Sequence, residues 1–214
     1  MKSLKILSMN LGKKFVTIRD SKKKEMIIDF LNGENYDIVM LQGNSLINKI
    51  DFNSLDYDFI IYKDRMAILY ARSLIGFDSD VKYGVASSTL IYDKGPIACI
   101  NVNCYNNKNI GDIFEICDIY SNNDSKYNVM TRIITGRFPK SFDTKLFCDM
   151  FNLDDISTLV GQSTHIKNNR EMLNHFFVSK NLECVNIHKL VGLTEVSKLG
   201  EAYPMEVTLK KVLK

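Results

Sequence analysis

The sequence has no tryptophan, only three prolines (Pro96, Pro139, Pro204) and no stretch rich in glycine, serine and proline. Nothing therefore marks a linker, and one domain is expected across residues 1–214. Gly33 and Gly43 stand alone, which excludes a glycine-rich phosphate loop. No stretch approaches the roughly 18 apolar residues a membrane helix needs. Neither charge sign dominates: 28 Lys and Arg against 25 Asp and Glu leave +3, too little to identify a nucleic-acid binder from charge alone. The five cysteines (Cys99, Cys104, Cys117, Cys148, Cys184) are odd in number and lack CxxC or Cys/His ligand spacing. Neither a disulfide framework nor a structural zinc site is expected. Reduced, mostly buried thiols fit a reducing, cytoplasmic compartment. Met1-Lys2-Ser3 runs straight into an alternating segment, so no secretory signal is expected.

What is present is an ordinary apolar content of 45%, sufficient for a sizeable core. Short runs rich in Ile, Val and Tyr predict strands at Leu4–Asn10, Ile38–Gln42, Tyr57–Tyr62, Arg65–Ala71, Val85–Tyr92 and Ile97–Cys104. Further strands are predicted at Val129–Thr135, Phe176–Val178, Val185–Leu190 and Met205–Val212. Lys63-Asp64 and Asp93-Lys94-Gly95 read as hairpin turns, so antiparallel pairing should dominate the middle of the chain. Asp20-Ser21 can cap a helix to about Asn32 with Met26, Ile27, Phe30 and Leu31 inward and Gly33 ending it. A second helix is predicted at about Ile110–Tyr120, burying Ile113, Phe114, Cys117 and Ile119. A third runs from near Ser141 to Phe151, burying Leu146, Phe147 and Met150. Helices spaced among antiparallel strands suggest an α/β sandwich.

The order of landmarks resembles the endonuclease/exonuclease/phosphatase family. The first strand ends in Asn10, and the second, Ile38-Val39-Met40-Leu41-Gln42, delivers Gly43 where the family places a glutamate. Ile97-Ala98-Cys99-Ile100-Asn101-Val102-Asn103 resembles the family strand that ends in histidine. Gly136-Arg137-Phe138-Pro139 stands where the family has Gly-Asp-Phe-Asn. Arg170-Glu171-Met172-Leu173-Asn174-His175-Phe176-Phe177-Val178-Ser179 resembles its Arg-x-Ile-Asp-His-Ile-Phe-Val-Ser segment. Glu201-Ala202-Tyr203-Pro204 stands for its closing Asp-His-Tyr-Pro. The resemblance implies a four-layer α/β sandwich of the DNase I type, with two mainly antiparallel sheets face to face and helices outside. It also implies Mg²⁺-dependent phosphoester chemistry.

Against that pattern the chemistry is depleted. Mg²⁺ wants hard oxygen ligands, and Gly43 supplies no side chain. Arg137 replaces the aspartate that orients water, and Pro139 replaces the asparagine that holds phosphate. Asn103 replaces a histidine, Asn174 a carboxylate, Glu201 keeps a longer carboxylate, and Ala202 deletes an imidazole. Loss of one such group costs on the order of 10²–10⁴ in rate. The losses together imply an inactive relative needing no cofactor, acting as a binding or regulatory module for a protein, nucleic acid or other phosphorylated ligand, with no membrane role. Asn10, Arg137 and His175 are candidate residual phosphate contacts, and Arg137 can pair with Glu201. Lys13, Lys14, Lys22, Lys23 and Lys24 are candidate nucleic-acid contacts, although a solvated helix end is the favoured reading of Lys22-Lys23-Lys24. The alternative is an active Mg²⁺ phosphodiesterase using Asp37, Glu201, Asn10 and His175. His165 and His188 read as surface residues, and Cys104 and Cys148 as packing rather than nucleophiles. Abundant asparagine and lysine suggest an AT-rich bacterial or mobile-element genome.

Overall fold

A computed structural model of the chain describes residues 3–11, 19–43, 47–62, 65–82, 84–92, 95–104, 110–120, 131–160, 173–190 and 202–212. Its strands are β1 (Leu4–Asn10), β2 (Ile38–Gln42), β3 (Tyr57–Tyr62), β4 (Met66–Ala71), β5 (Ile75–Lys82), β6 (Val85–Tyr92), β7 (Gly95–Asn103), β8 (Thr131–Arg137), β9 (Leu153–Asp155), β10 (Asn174–Ser179), β11 (Leu182–Lys189) and β12 (Met205–Lys211). Three α-helices accompany them: α1 (Arg19–Gly33), α2 (Ile110–Ile119) and α3 (Thr144–Phe151). The strands form two six-stranded sheets, ordered β11-β12-β1-β2-β4-β3 and β5-β6-β7-β8-β10-β9. Pairing is antiparallel except for β1 with β2 and β7 with β8.

Each sheet is covered on both faces, which explains the long apolar runs in its central strands. Leu4 and Ile6 of β1, Ile38 and Met40 of β2, Cys99 of β7, Ile133 of β8 and Phe176 of β10 share the core between the sheets. The intervening residues face outward. Leu7, Val39 and Leu69 meet Ile27 and Leu31 of α1. Ala98, Ile100, Ile134 and Phe177 meet Ile113, Ile116 and Cys117 of α2 and Phe147 and Phe151 of α3. The result is the expected α/β sandwich, with helices on both outer faces.

The inward helix faces differ from the sequence reading in detail. In α2 the buried set is Ile113, Ile116 and Cys117, joined by Tyr120, while Phe114 and Ile119 are only partly buried. The third helix starts at Thr144 because the Asp143 carboxylate caps the Leu146 N–H at 2.9 Å. Its buried face is Phe147 and Phe151, one turn apart, so Leu146 and Met150 are 50% and 59% exposed. Asn152 ends it in the left-handed region at φ 51°.

Two strands had no signal in the sequence. β5 is an edge strand with Asp78-Ser79-Asp80 in its middle and a bulge between Gly76 and Asp78, and Ile75 is 65% exposed. β9 has three residues, two of them aspartates, and exists because β10 is there to pair with it. The predicted turns at Lys63-Asp64 and Asp93-Lys94 lie outside the described residues.

All five cysteines are free thiols, with Cys99, Cys104 and Cys117 buried. No helix among the described residues is long and apolar enough to cross a membrane.

Candidate functional site

Register brings the landmark positions to one end of the sandwich. In the first sheet Asn10 pairs with Gln42, and Gln42 with Met66. In the second, Asn103 pairs with Arg137, and Arg137 with Asn174. Alternation from the inter-sheet core residues puts Asn10 and Gln42 on the face toward the second sheet, and Asn103 and Asn174 on the face toward the first.

Beneath these ends lies a buried polar network that ties the sheets together. The Gln42 side-chain amide donates to Asn101 Oδ1 at 2.8 Å. Asn101 Nδ2 donates back to the carbonyls of Leu41 and Ala67 at 2.9 and 3.0 Å. Thr135 lies within hydrogen-bond distance of Ser8 Oγ (2.9 Å) and donates to the His175 carbonyl (2.8 Å). Such bonds matter because an unpaired amide in this apolar interior would cost its full desolvation.

Gly43 is fixed by its backbone. Its N–H donates to the Arg65 carbonyl at 2.8 Å. Its own carbonyl accepts from Asn103 Nδ2 at 3.1 Å, and the same nitrogen reaches the Arg65 carbonyl at 3.3 Å. Asn103 thereby joins β7 to the end of β2 and the start of β4.

Arg137 is half-buried at the end of β8, and its carbonyl accepts from the Cys104 N–H at 2.9 Å. Gly136 before it has φ +131°, and a Cβ there would stand 2.0 Å from the Val102 carbonyl oxygen. Only glycine suits that close approach. Phe138 turns outward into the aromatic cluster of Phe142, Phe147 and Phe177, and Pro139 is buried after it. Ala202 is buried immediately before Tyr203-Pro204 and β12.

The candidates separate on this geometry. Asn10, Gly43, Asn103, Arg137 and Asn174 converge. His175 does not join them, because alternation along β10 turns it to the outer face of its sheet. There its Nδ1 meets Asp155 Oδ2 at 2.9 Å, with Ser157 hydrogen-bonded to the same carboxylate. Its ring stacks on Phe177 and meets Phe138 edge-on, each at 5.5 Å. The reading of His175 as a phosphate contact beside Asn10 and Arg137 is therefore corrected: it is a buried histidine paired with Asp155, a partner that sequence spacing did not suggest.

Asp37 is also displaced. It precedes β2, so the strand separates it from Gly43 by about 20 Å at roughly 3.3 Å per residue. Its Oδ2 accepts from the Lys5 N–H at 2.8 Å, and it lines a separate cleft of about 330 Å³ with Glu34, Asp56, Tyr57 and Arg72. Asp37 cannot serve a site built around Asn10. Lys22 is exposed and Lys24 half-exposed on α1, the helix that leaves the end of β1. Lys13, Lys14, His165 and Glu201 lie outside the described residues, as does any Arg137–Glu201 pair. His188 sits on β11 with Nε2 3.2 Å from Glu206 Oε1. Burial, with help from Asp112, pushes the Cys104 thiol up to about 12, and burial beside Asp155 pushes Cys148 up to about 11. Neither thiol is a nucleophile near neutral pH.

The described residues at this end do not by themselves fit Mg²⁺. Among them the converging residues are three asparagines, a glutamine and an arginine, with no carboxylate. No group of three or more His, Cys, Asp or Glu able to hold a metal occurs among the described residues. The Gly43 carbonyl is already engaged by Asn103, and a guanidinium repels a dication.

No family model and no curated protein matches the sequence. Solved structures do. The chain is similar to an endonuclease/exonuclease/phosphatase family protein from Bacteroides thetaiotaomicron, at 14% identity and TM-score 0.74, over 100% of this chain and 99% of that one. It is similar to an endonuclease/exonuclease/phosphatase from Bacteroides vulgatus at 12% identity and TM-score 0.74, over 99% and 100%. It is also similar to D. rerio TDP2 complexed with single strand DNA product, at 10% identity and TM-score 0.70, over 99% and 100%. At these identities the likeness is one of architecture. The chain has the DNase I-like α/β sandwich fold of the endonuclease/exonuclease/phosphatase proteins.

Proposed function

We propose that this protein binds a phosphate-bearing ligand at the converged strand ends and does not hydrolyse it. The observation that carries this reading is the amide clamp of Asn103 on Gly43. It occupies the strand end where the fold's enzymes, by the resemblance above, need a metal carboxylate. Around it stand neutral amides and one guanidinium, whose fixed positive charge suits an anion better than a cation.

Hydrolysis of the family type needs an activated water and a group to stabilise the departing oxygen. Arg137 cannot accept a proton from water, since a guanidinium stays charged. Pro139 and Ala202 offer no polar side-chain atom. His175 is directed to Asp155 on the far face of the sheet. What the set retains is a fixed positive charge, which can attract an oxyanion. The lysines of α1 would add a sequence-independent electrostatic contribution to a nucleic-acid ligand.

The test is twofold. Purified protein with Mg²⁺ or Mn²⁺ is assayed on DNA, RNA and bis(p-nitrophenyl) phosphate, and no turnover above the blank is expected. A fluorescent oligonucleotide is then titrated with the protein, and saturable, salt-sensitive binding is expected. Cleavage that disappears in the Glu201→Ala protein would establish an active phosphoesterase instead.

A further inference from the structure

We infer that two asparagine rungs of unequal strength fasten the sheets together, and that the outer one, Asn103, is a latch that opens while the rest of the fold stays closed. Asn101 and Asn103 lie two positions apart on β7, so both side chains cross the space between the sheets. Each spreads its amide over two carbonyls, one on the β2 side and one on the β4 side. Asn101 Nδ2 donates to Leu41 and Ala67 at 2.9 and 3.0 Å. Asn103 Nδ2 donates to Gly43 and Arg65 at 3.1 and 3.3 Å. Leu41 and Ala67 are register partners, and the Gly43 N–H donates to the Arg65 carbonyl one step further along. The carbonyls fix the orientation of both amides, because only the nitrogen end can donate.

The rungs differ at the oxygen end. Asn101 Oδ1 accepts from the Gln42 side-chain amide at 2.8 Å, so both ends of this fully buried amide are bonded. Asn103 Oδ1 is buried and has no partner among the described residues. A buried amide oxygen without a donor loses its hydration and gains no bond in return. Turning the Asn103 side chain outward restores that hydration, which offsets the two longer bonds given up. Turning Asn101 outward breaks three shorter bonds and gains less. Position acts in the same direction. Asn103 is the last residue of β7, whereas Asn101 has strand on both sides. Strand ends open more readily than strand middles. The Thr135–Ser8 bond of 2.9 Å also joins the two sheets on the inner side. Opening of the latch therefore frees the Asn103 amide from Gly43 and Arg65 while the inner rung keeps the sheets together. The change is confined to the end of the sandwich where the landmark positions converge.

Hydrogen exchange of the full chain, followed by nuclear magnetic resonance at several low urea concentrations, tests this. The side-chain amide protons of Asn103 should exchange at least about tenfold faster than those of Asn101. Their rate should barely change with urea, since a local opening exposes little surface, whereas the Asn101 rate should climb with urea as global unfolding does. Gln42→Ala takes the donor from Asn101 Oδ1 and makes the inner rung resemble the outer one. In that protein, with its fold confirmed by a urea transition, Asn101 exchange should lose its urea dependence. Equal rates for the two wild-type asparagines, rising together with urea, would overturn the latch, because both rungs would then open only with the whole fold. Urea-dependent Asn101 exchange in a folded Gln42→Ala protein would overturn the assignment of the difference to the oxygen end. Should Gln42→Ala not fold, the wild-type comparison decides alone.

Discussion

Asn103 holds Gly43: the side-chain amide of one donates 3.1 Å to the backbone carbonyl of the other, across the space between the two sheets. The same amide reaches Arg65, so one side chain fastens the end of β7 to the ends of β2 and β4. The strand end is thus closed by a neutral hydrogen bond at the position where the fold's enzymes require a charged ligand. Removing that amide strips a donor from two carbonyls at once. Asn103→Ala should lower stability by about 1–3 kcal/mol, read as a shift in the urea midpoint. The loss should be the same in EDTA and in Mg²⁺.

Gln42 and Asn101 form the deeper link between the sheets, at 2.8 Å and with both residues about fully buried. Gln42→Ala leaves Asn101 Oδ1 without its donor and opens a cavity, with an expected cost of about 2–4 kcal/mol. A double-mutant cycle with Asn101→Ala should show coupling of about 1 kcal/mol or more. Additive effects would mean that the pair contributes nothing beyond packing.

His175 and Asp155 support the outer face of the second sheet, away from the row that holds Arg137. Asp155→Ala should reduce stability by about 1–3 kcal/mol by leaving a buried imidazole without its acceptor. Oligonucleotide affinity should stay at the wild-type value. An affinity loss comparable to that of Arg137→Gln would place His175 back among the ligand contacts.

Much of this was legible in the sequence, and the exceptions have physical reasons. The boundaries of β1, β2, β3 and β6 follow from apolar runs that end in Asn, Gln or Tyr beside turn residues. Those strands are central or well patterned, so local signal and tertiary packing agree. β5 and β9 are edge strands whose polar residues are paid no penalty by solvent, and only a neighbouring strand makes them strands. Strand register sets Asn10 beside Gln42, and Asn103, Arg137 and Asn174 side by side, with Gly43 following β2. His175 was misplaced because a motif read as a string hides period-two alternation: its neighbour Asn174 is on the face between the sheets and His175 on the outer one. The Asn103 clamp was not legible, since it joins residues 60 positions apart.

Gly136 offers a backbone test of the strand end. An alanine there would be forced into a φ of +131° with its Cβ 2.0 Å from the Val102 carbonyl oxygen. Gly136→Ala should cost about 3 kcal/mol in strain, and the clash adds to that. Chemical denaturation of the variant checks it, and a change under about 1 kcal/mol would contradict the described β7–β8 pairing.

Cys104 and Cys148 set an alkaline limit. Burial, aided by Asp112 at Cys104 and Asp155 at Cys148, raises the folded thiols to about 12 and about 11, above the ordinary thiol near 8.5. A raised folded pKa stabilises the fold fully below the unfolded value. That contribution is lost as pH rises from about 8.5 through 11 to 12, where the unfolded thiols ionise first. Urea midpoints should therefore fall over that window. In a Cys104→Ala, Cys148→Ala protein the fall should be smaller.

The central claim is that Arg137 and its neighbours hold a phosphate-bearing ligand without cutting it. The most direct measurement follows one end-labelled oligonucleotide through binding and recovery with Mg²⁺ present. Anisotropy gives the affinity for wild-type and Arg137→Gln proteins, and a denaturing gel of the same samples shows the length of the strand. The account predicts saturable binding that weakens about tenfold or more in Arg137→Gln, with the strand recovered at full length. A shortened strand, or equal binding by the two proteins, would contradict it.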